Sequence, residues 1–192
     1  MNFLTPYLRL KGIKRMNEAE LVLTNVLNCD RLFLYLNKDS NLLIIDAIEL
    51  LRQEKPFEGA IAMLTGYYDK TDDLSIRKTI ACFMNDLKDQ AACEEVVTEI
   101  RKQWKTYTIS MLISSCWQSG LNYSNYSADL ARVFLKEDYV TAVECLTVIE
   151  ESADELSRSA KDEIIKMLEE SPLSPINEKK ALTLELISIL ER

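Results

Sequence analysis

The chain has 192 residues, of which 47% are hydrophobic and 28% charged, and its formal net charge at pH 7 is −8. A chain of this length can bury one sizeable core. It contains no histidine, which excludes a histidine general base and any Ser–His or Cys–His nucleophile pair. Its four glycines, at positions 12, 59, 66 and 120, form neither a phosphate-binding glycine loop nor a G-x-S-x-G nucleophile turn. Most catalytic chemistries are therefore excluded, and we expect no enzymatic activity.

The N-terminal segment, residues 1–15, lacks regular patterning and is expected to form an arm ahead of a single helical domain over residues 16–192. Its charges follow a short apolar run, which is the reverse of a secretory signal, and no stretch of eighteen apolar residues occurs. We therefore expect a cytoplasmic protein that does not bind membranes.

Helical spacing of apolar residues predicts ten helices in chain order. They lie over about 17–37, with a possible break, and then 41–53, 57–69, 73–89, 90–103, 106–120, 126–137, 139–152, 154–170 and 176–190. Ser40 and either Asp72 or Asp73 are expected as N-caps, and Pro56 is expected in the first turn of its helix. The alternation predicts an all-α chain of five antiparallel helical hairpins.

The second helix of each hairpin carries apolar residues at the same two steps. Counted from Ser40, Asp73, Lys105, Asp138 and Pro175, these positions are seven and eleven residues into each helix. They share one helical face, so each helix presents the same buried ridge to its neighbours. The ridge consists of Ala47, Ile80, Leu112, Cys145, Leu182, Leu51, Met84, Cys116, Ile149 and Leu186. A period near 33 residues is typical of helical repeat arrays.

One segment, residues 60–90, resembles a HEAT repeat. It has an apolar helix, a turn with aspartate, and then the pair Ile76 and Arg77 followed by the small residue Ala81. The resemblance implies a right-handed α-α superhelix over about residues 17–192, whose second helices line a concave, partner-binding face. The position of Arg77 is occupied by Ile109 and Ala142 in the next two hairpins.

The five cysteines are odd in number and form no C-x-x-C pair. They fall mostly on apolar helix faces, where free cysteine packs as a small hydrophobe. We therefore expect five structural thiols, with no metal ion and no other cofactor.

Negative charge is concentrated in residues 137–170, which hold eleven acids and three bases, whereas the remaining residues hold twenty of each. Such a segment repels phosphate backbones, so a nucleic-acid partner is not expected. Two interpretations remain open: a binding surface for a basic protein, or a solvated face that keeps the chain soluble.

The face opposite the ridge on the third-hairpin helix is uncharged and rich in aromatic, methionine and hydroxyl side chains. Interface cores have this composition, whereas solvent-exposed helix faces are usually charged. We expect a partner-binding strip there, formed by Tyr107, Met111, Ser114 and Trp117, with Lys78 and Glu144 on the flanking helices. Alternatively, neighbouring helices or the N-terminal arm cover this face.

The sequence thus favours a non-enzymatic protein interaction or scaffold module. The alternative is an enzyme, because some DNA glycosylases that act on alkylated bases resemble HEAT-like arrays and use concave aromatic residues. Aromatic residues that invite the comparison are Trp104, Tyr107, Trp117 and Tyr139. Such an enzyme needs a basic lining to hold phosphates, and the lining here is neutral to acidic.

Overall fold

A computed structural model of the chain describes residues 28–53, 56–171 and 179–192. These residues form helices and no strands, which confirms the all-α class. The α-helices are α1 (Cys29–Leu36), α2 (Asn41–Arg52), α3 (Ala60–Tyr68), α4 (Leu74–Asn85), α5 (Ala92–Ile100), α6 (Thr106–Gln118), α7 (Ser127–Lys136), α8 (Tyr139–Ser152), α9 (Arg158–Glu170) and α10 (Lys180–Glu191). The predicted arm, residues 1–15, lies outside the described residues.

The chain divides into two compact units, residues 1–83 and 84–192, and the boundary falls within α4. In the first unit, α1 packs against α2 and α3. In the second unit, α5 packs on α6, α7 on α8 and α9 on α10, which gives three hairpins. Successive hairpins are joined by the contacts of α6 with α8, α8 with α10 and α7 with α9. The prediction of one domain over residues 16–192 stays a prediction.

All ten residues of the predicted ridge are buried, with exposed fractions of 9% or less. In α6 these residues are Leu112 and Cys116, and in α8 they are Cys145 and Ile149, none more than 1% exposed. Burial on this face removes apolar side chains from water at two successive turns of each helix. The sequence period therefore correctly identifies the buried face of α2, α4, α6, α8 and α10.

Polar contacts between hairpins join residues 32 or 33 positions apart, which is close to the period at which the ridge positions repeat. In the first unit, Asn41 donates a hydrogen bond to Asp73 at 2.6 Å, 32 residues away. In the second unit, Gln90 donates to the Asn122 carbonyl at 2.5 Å and accepts from the Asn122 amide at 3.0 Å. The Asn122 side chain then donates to Glu155, 33 residues further on. We call Gln90, Asn122 and Glu155 the loop ladder.

The starts of α2, α3 and α4 agree with one prediction, the Asp73 cap, and differ from two others, at Ser40 and Pro56. Asp73 is the residue that caps α4, because its Oδ1 accepts from the Ile76 amide at 3.0 Å. Ser40 lies at the N-cap of α2, but its side chain makes no capping bond. The prediction for Pro56 is wrong, since α3 begins only at Ala60. Gly59, just before it, has φ of 92°, a left-handed conformation that interrupts the helix and that glycine adopts without a steric penalty.

Replacing Leu112 with Ala tests the ridge. Leu112 is fully buried, so the loss of its side chain should lower the free energy of unfolding by about 2–5 kcal/mol, measured by denaturant titration. Leu184→Ala in α10 is the matched control, because Leu184 is 61% exposed and its truncation should change stability by less than about 0.5 kcal/mol. Equal effects of the two substitutions would show that the ridge register is wrong.

Candidate partner-binding site

The predicted strip on α6 is only partly exposed. Trp117 is 38% exposed, whereas Tyr107 and Ser114 are half-buried. Met111 is only 7% exposed, so its expected position on the open face is wrong. The physical reason is that α6 packs against both α5 and α8, which buries a wider arc of this helix than the ridge alone. The open part of α6 therefore excludes Met111.

Trp117 and Glu144, which the sequence analysis placed on neighbouring helices, are in direct contact. The indole Nε1 of Trp117 donates a hydrogen bond to Glu144 Oε2 across the α6–α8 contact. This bond holds the edge of the partly exposed indole ring against a carboxylate at the protein surface. Lys78 is exposed on α4, in the first unit, and its predicted place in the same groove stays a prediction.

The hydroxyl and amide groups near the end of α6 bond to one another. Gln118 Nε2 donates to Ser114 Oγ at 2.7 Å, and Asn85 Nδ2 donates to Gln118 Oε1 at 2.6 Å. These bonds fix polar side chains along the rim of the strip without burying a charge. Ser114 therefore has a structural partner in the free protein.

The most exposed apolar side chains of this surface lie on α8. Tyr139, Val140 and Val143 are 47%, 63% and 37% exposed and follow one another around the first two turns. The sequence analysis named only Glu144 on this helix, although Val140 and Val143 lie two and five residues after Asp138, at offsets that point away from the ridge. We call the following residues the α6–α8 strip: Tyr107, Ser114, Trp117, Tyr139, Val140, Val143 and Glu144.

One end of α6 and α8 is marked by a surface cavity of about 280 Å³. It is lined by the C-terminal end of α5 and the residues just after it, by one side of α7 from Asp129 to Lys136, by Ile109 of α6, and by Glu137 just before α8. Arg101 donates to both carboxylate oxygens of Asp129, at 3.0 and 2.7 Å, and Arg132 donates to the same group at 3.2 Å. These bonds, chiefly the one from Arg101, lower the pKa of Asp129. We call this the cavity end of the hairpins.

The opposite end carries the loop ladder, and the two ends differ in charge. At the cavity end five bases face four acids: Arg101, Lys102, Lys105, Arg132 and Lys136 against Glu99, Asp129, Glu137 and Asp138. At the ladder end two bases, Lys88 and Arg158, accompany eight acids: Asp86, Asp89, Glu94, Glu95, Glu150, Glu151, Asp154 and Glu155. The strip therefore runs from a nearly neutral end to a strongly acidic one.

A cluster of buried thiols and a phenol was the other candidate for chemistry. Cys93, Cys116 and Tyr123 are each 1% exposed in the second unit. Burial raises the pKa values of all three groups, so the thiolate that nucleophilic or redox chemistry needs is disfavoured. Among the described residues, no group of cysteine and carboxylate side chains is arranged to hold a metal ion. All three side chains lie in the buried core of the second unit.

Comparison of the chain with protein-family models, with curated proteins and with solved structures finds no match. None of the helices in the described ranges combines the length and apolar character that spanning a bilayer requires. The function must therefore be inferred from the surface of the chain itself.

Thiol labelling tests the structural role of the cysteines. Cys93, Cys116 and Cys145 are buried, whereas Cys29 and Cys82 are half-buried. In the native protein, Cys29 and Cys82 should react first with a thiol reagent, because burial both blocks the other three and raises their pKa values. All five should react after denaturation without reductant. Fewer than five reactive thiols would contradict the free-thiol assignment, and so would fast native labelling of Cys116.

Proposed function

We propose that this protein is a non-enzymatic interaction module whose protein partner docks on the α6–α8 strip. The observation that carries the proposal is the exposure of Tyr139, Val140 and Val143 on a helix whose opposite face already supplies the core. Contiguous exposed apolar side chains beside a polar rim are typical of interaction sites. Trp117, held against Glu144, adds an aromatic anchor of the kind that dominates binding energy in interfaces.

The proposal includes a HEAT-like superhelix in which the second helices α6, α8 and α10 of the second unit line one face. Two observations support this architecture. Second helices pack on second helices and first on first in the hairpins of the second unit. Polar contacts between hairpins also recur 32 or 33 residues apart, as expected for stacked repeats. The cytoplasm is the compartment that we propose for it.

The charge distribution argues against the nucleic-acid enzyme. Glu144 is the one charged side chain of the α6–α8 strip, and the ladder end beside it is acidic. A surface that holds a phosphate backbone needs lysine or arginine where this strip has valine, serine and glutamate. The exposed aromatic residues are therefore better explained as anchors for a protein.

Val140→Ser combined with Val143→Ser tests the proposed function. Both side chains are exposed, so the melting temperature should change by less than about 3 °C. Capture of partners from native lysate should fall by about tenfold, the loss expected when about 1.4 kcal/mol of binding energy is removed. Quantitative mass spectrometry of the captured proteins is the readout.

Leu42→Ser combined with Leu43→Ser in α2 is the matched control. These leucines are also exposed, at 74% and 43%, but they lie in the first unit. Their substitution should leave the captured proteins unchanged. An unaltered partner list for the α8 variant, or equal losses for both variants, would contradict docking on the strip.

A further inference from the structure

The C-terminus of α8 carries acidic residues, whereas the C-terminus of the neighbouring helix α7 is in contact with a cation. A helix C-terminus carries partial negative charge, so cations stabilise it and anions destabilise it. At the end of α7, the buried ammonium of Lys179 donates to the carbonyls of Phe134 at 2.9 Å and Leu135 at 3.3 Å, and also to that of Glu137. The end of α7 is thus capped by a cation from a distant part of the sequence.

The end of α8 has the opposite composition. Glu150 and Glu151 occupy its last turn, and Asp154 and Glu155 follow in the next turn of chain. The nearest basic residue in the sequence is Arg158, the first residue of α9, which pairs with Asp162 at 2.9 Å. Glu150 and Glu151 therefore lie where the dipole of α8 already places negative charge. Asp154 and Glu155 also precede the N-terminus of α9, and Glu155 accepts a hydrogen bond from Asn122. Local conflicts of this kind occur where function, not stability, selects the residues.

This acidic helix end lies on the same helix as the exposed valines. Val143 and Glu151 are eight residues apart, which corresponds to about 12 Å along a helix. Glu144 lies between them, already in contact with Trp117. The α6 helix also ends at the ladder end, whereas α7 and α9 begin there. An apolar contact area thus continues directly into a negative one.

We infer that the partner docks through a segment that has apolar anchors at one end and lysine or arginine at the other. The apolar end lies over Tyr139, Val140 and Val143, and the cationic end lies over Glu144, Glu150 and Glu151. The inference rests on the proposed function and adds the chemistry and direction of the partner. The cationic end supplies to α8 what Lys179 supplies to α7, and complementary charge speeds association and fixes orientation.

The second unit contains a matched control for this inference. Helix α9 also ends in two exposed glutamates, Glu169 and Glu170, but it belongs to the other row of helices. Glu150→Gln with Glu151→Gln, and Glu169→Gln with Glu170→Gln, therefore change the net charge equally, each within the last turn of a helix. Both double variants should keep or slightly raise the melting temperature, since each removes charges that oppose a helix dipole, and the exposed ion pair of Glu170 with Lys166, at 3.9 Å, contributes little.

The probe is a fluorescein-labelled synthetic peptide of about 18 residues, long enough for a helix of about 27 Å, with leucine and tryptophan in one half and lysine in the other. A second peptide carries glutamate in place of lysine. Anisotropy titrations at about 0.05 M salt, where screening is weak, should show tighter binding of the lysine peptide. Its Kd should rise at least about fivefold in the Glu150/Glu151 variant and less than about twofold in the Glu169/Glu170 variant. The Val140→Ser and Val143→Ser variant should weaken binding of the same peptide.

Four results would overturn the inference in distinguishable ways. Equal losses for the two glutamine variants would show diffuse charge attraction without a directed site. Equal binding of the lysine and glutamate peptides, both dependent on Val140 and Val143, would refute the charge assignment but keep the docking strip. Peptide binding that is unchanged by the Val140→Ser and Val143→Ser substitutions would refute the inference. The capture of partners from native lysate would then be the remaining test of the proposed function. Concentration-dependent dimerisation abolished by the valine substitutions would assign the strip to a second copy instead.

Discussion

The buried ridge shared by the second helices is the constraint from which the other features of the second unit follow. Leu112 and Cys116 of α6 and Cys145 and Ile149 of α8 are fully or almost fully buried. They commit one face of each helix to the core, and close packing there tolerates little change in volume. The opposite face is then free to vary without loss of the fold. This division allows α8 to expose Val140 and Val143 while Cys145 remains inaccessible.

Polar contacts between hairpins have a different role from that of the ridge. The loop ladder and the bonds among Asn85, Gln118 and Ser114 lie largely at the surface, where a hydrogen bond contributes little net stability. They are directional, so they specify how far one hairpin is displaced along its neighbour. The ridge therefore supplies most of the stability, and the polar contacts fix the register that places Trp117 beside Glu144.

Periodicity predicted the parts of the structure that depend on one repeated physical requirement. The buried ridge and nine of the helices follow from helical spacing of apolar residues. The N-cap role of Asp73 follows from the preference of helix starts for aspartate side chains. Met111 was misplaced because helical geometry within one segment cannot show that α6 packs on two sides. Pro56 was misplaced because the left-handed Gly59 sets the start of α3. The ladder was missed because its three residues are of different types and share no hydrophobic pattern.

The most direct test of the central claim is photo-crosslinking in the native cell from single positions on opposite rows of helices. A photoreactive phenylalanine analogue replaces Val140 of the strip in one protein and the exposed Glu163 of α9 in the other. Docking on the α6–α8 strip predicts a discrete protein adduct from position 140 and none of comparable yield from position 163. Adducts that form only from position 163, or equally from both positions, would contradict the account.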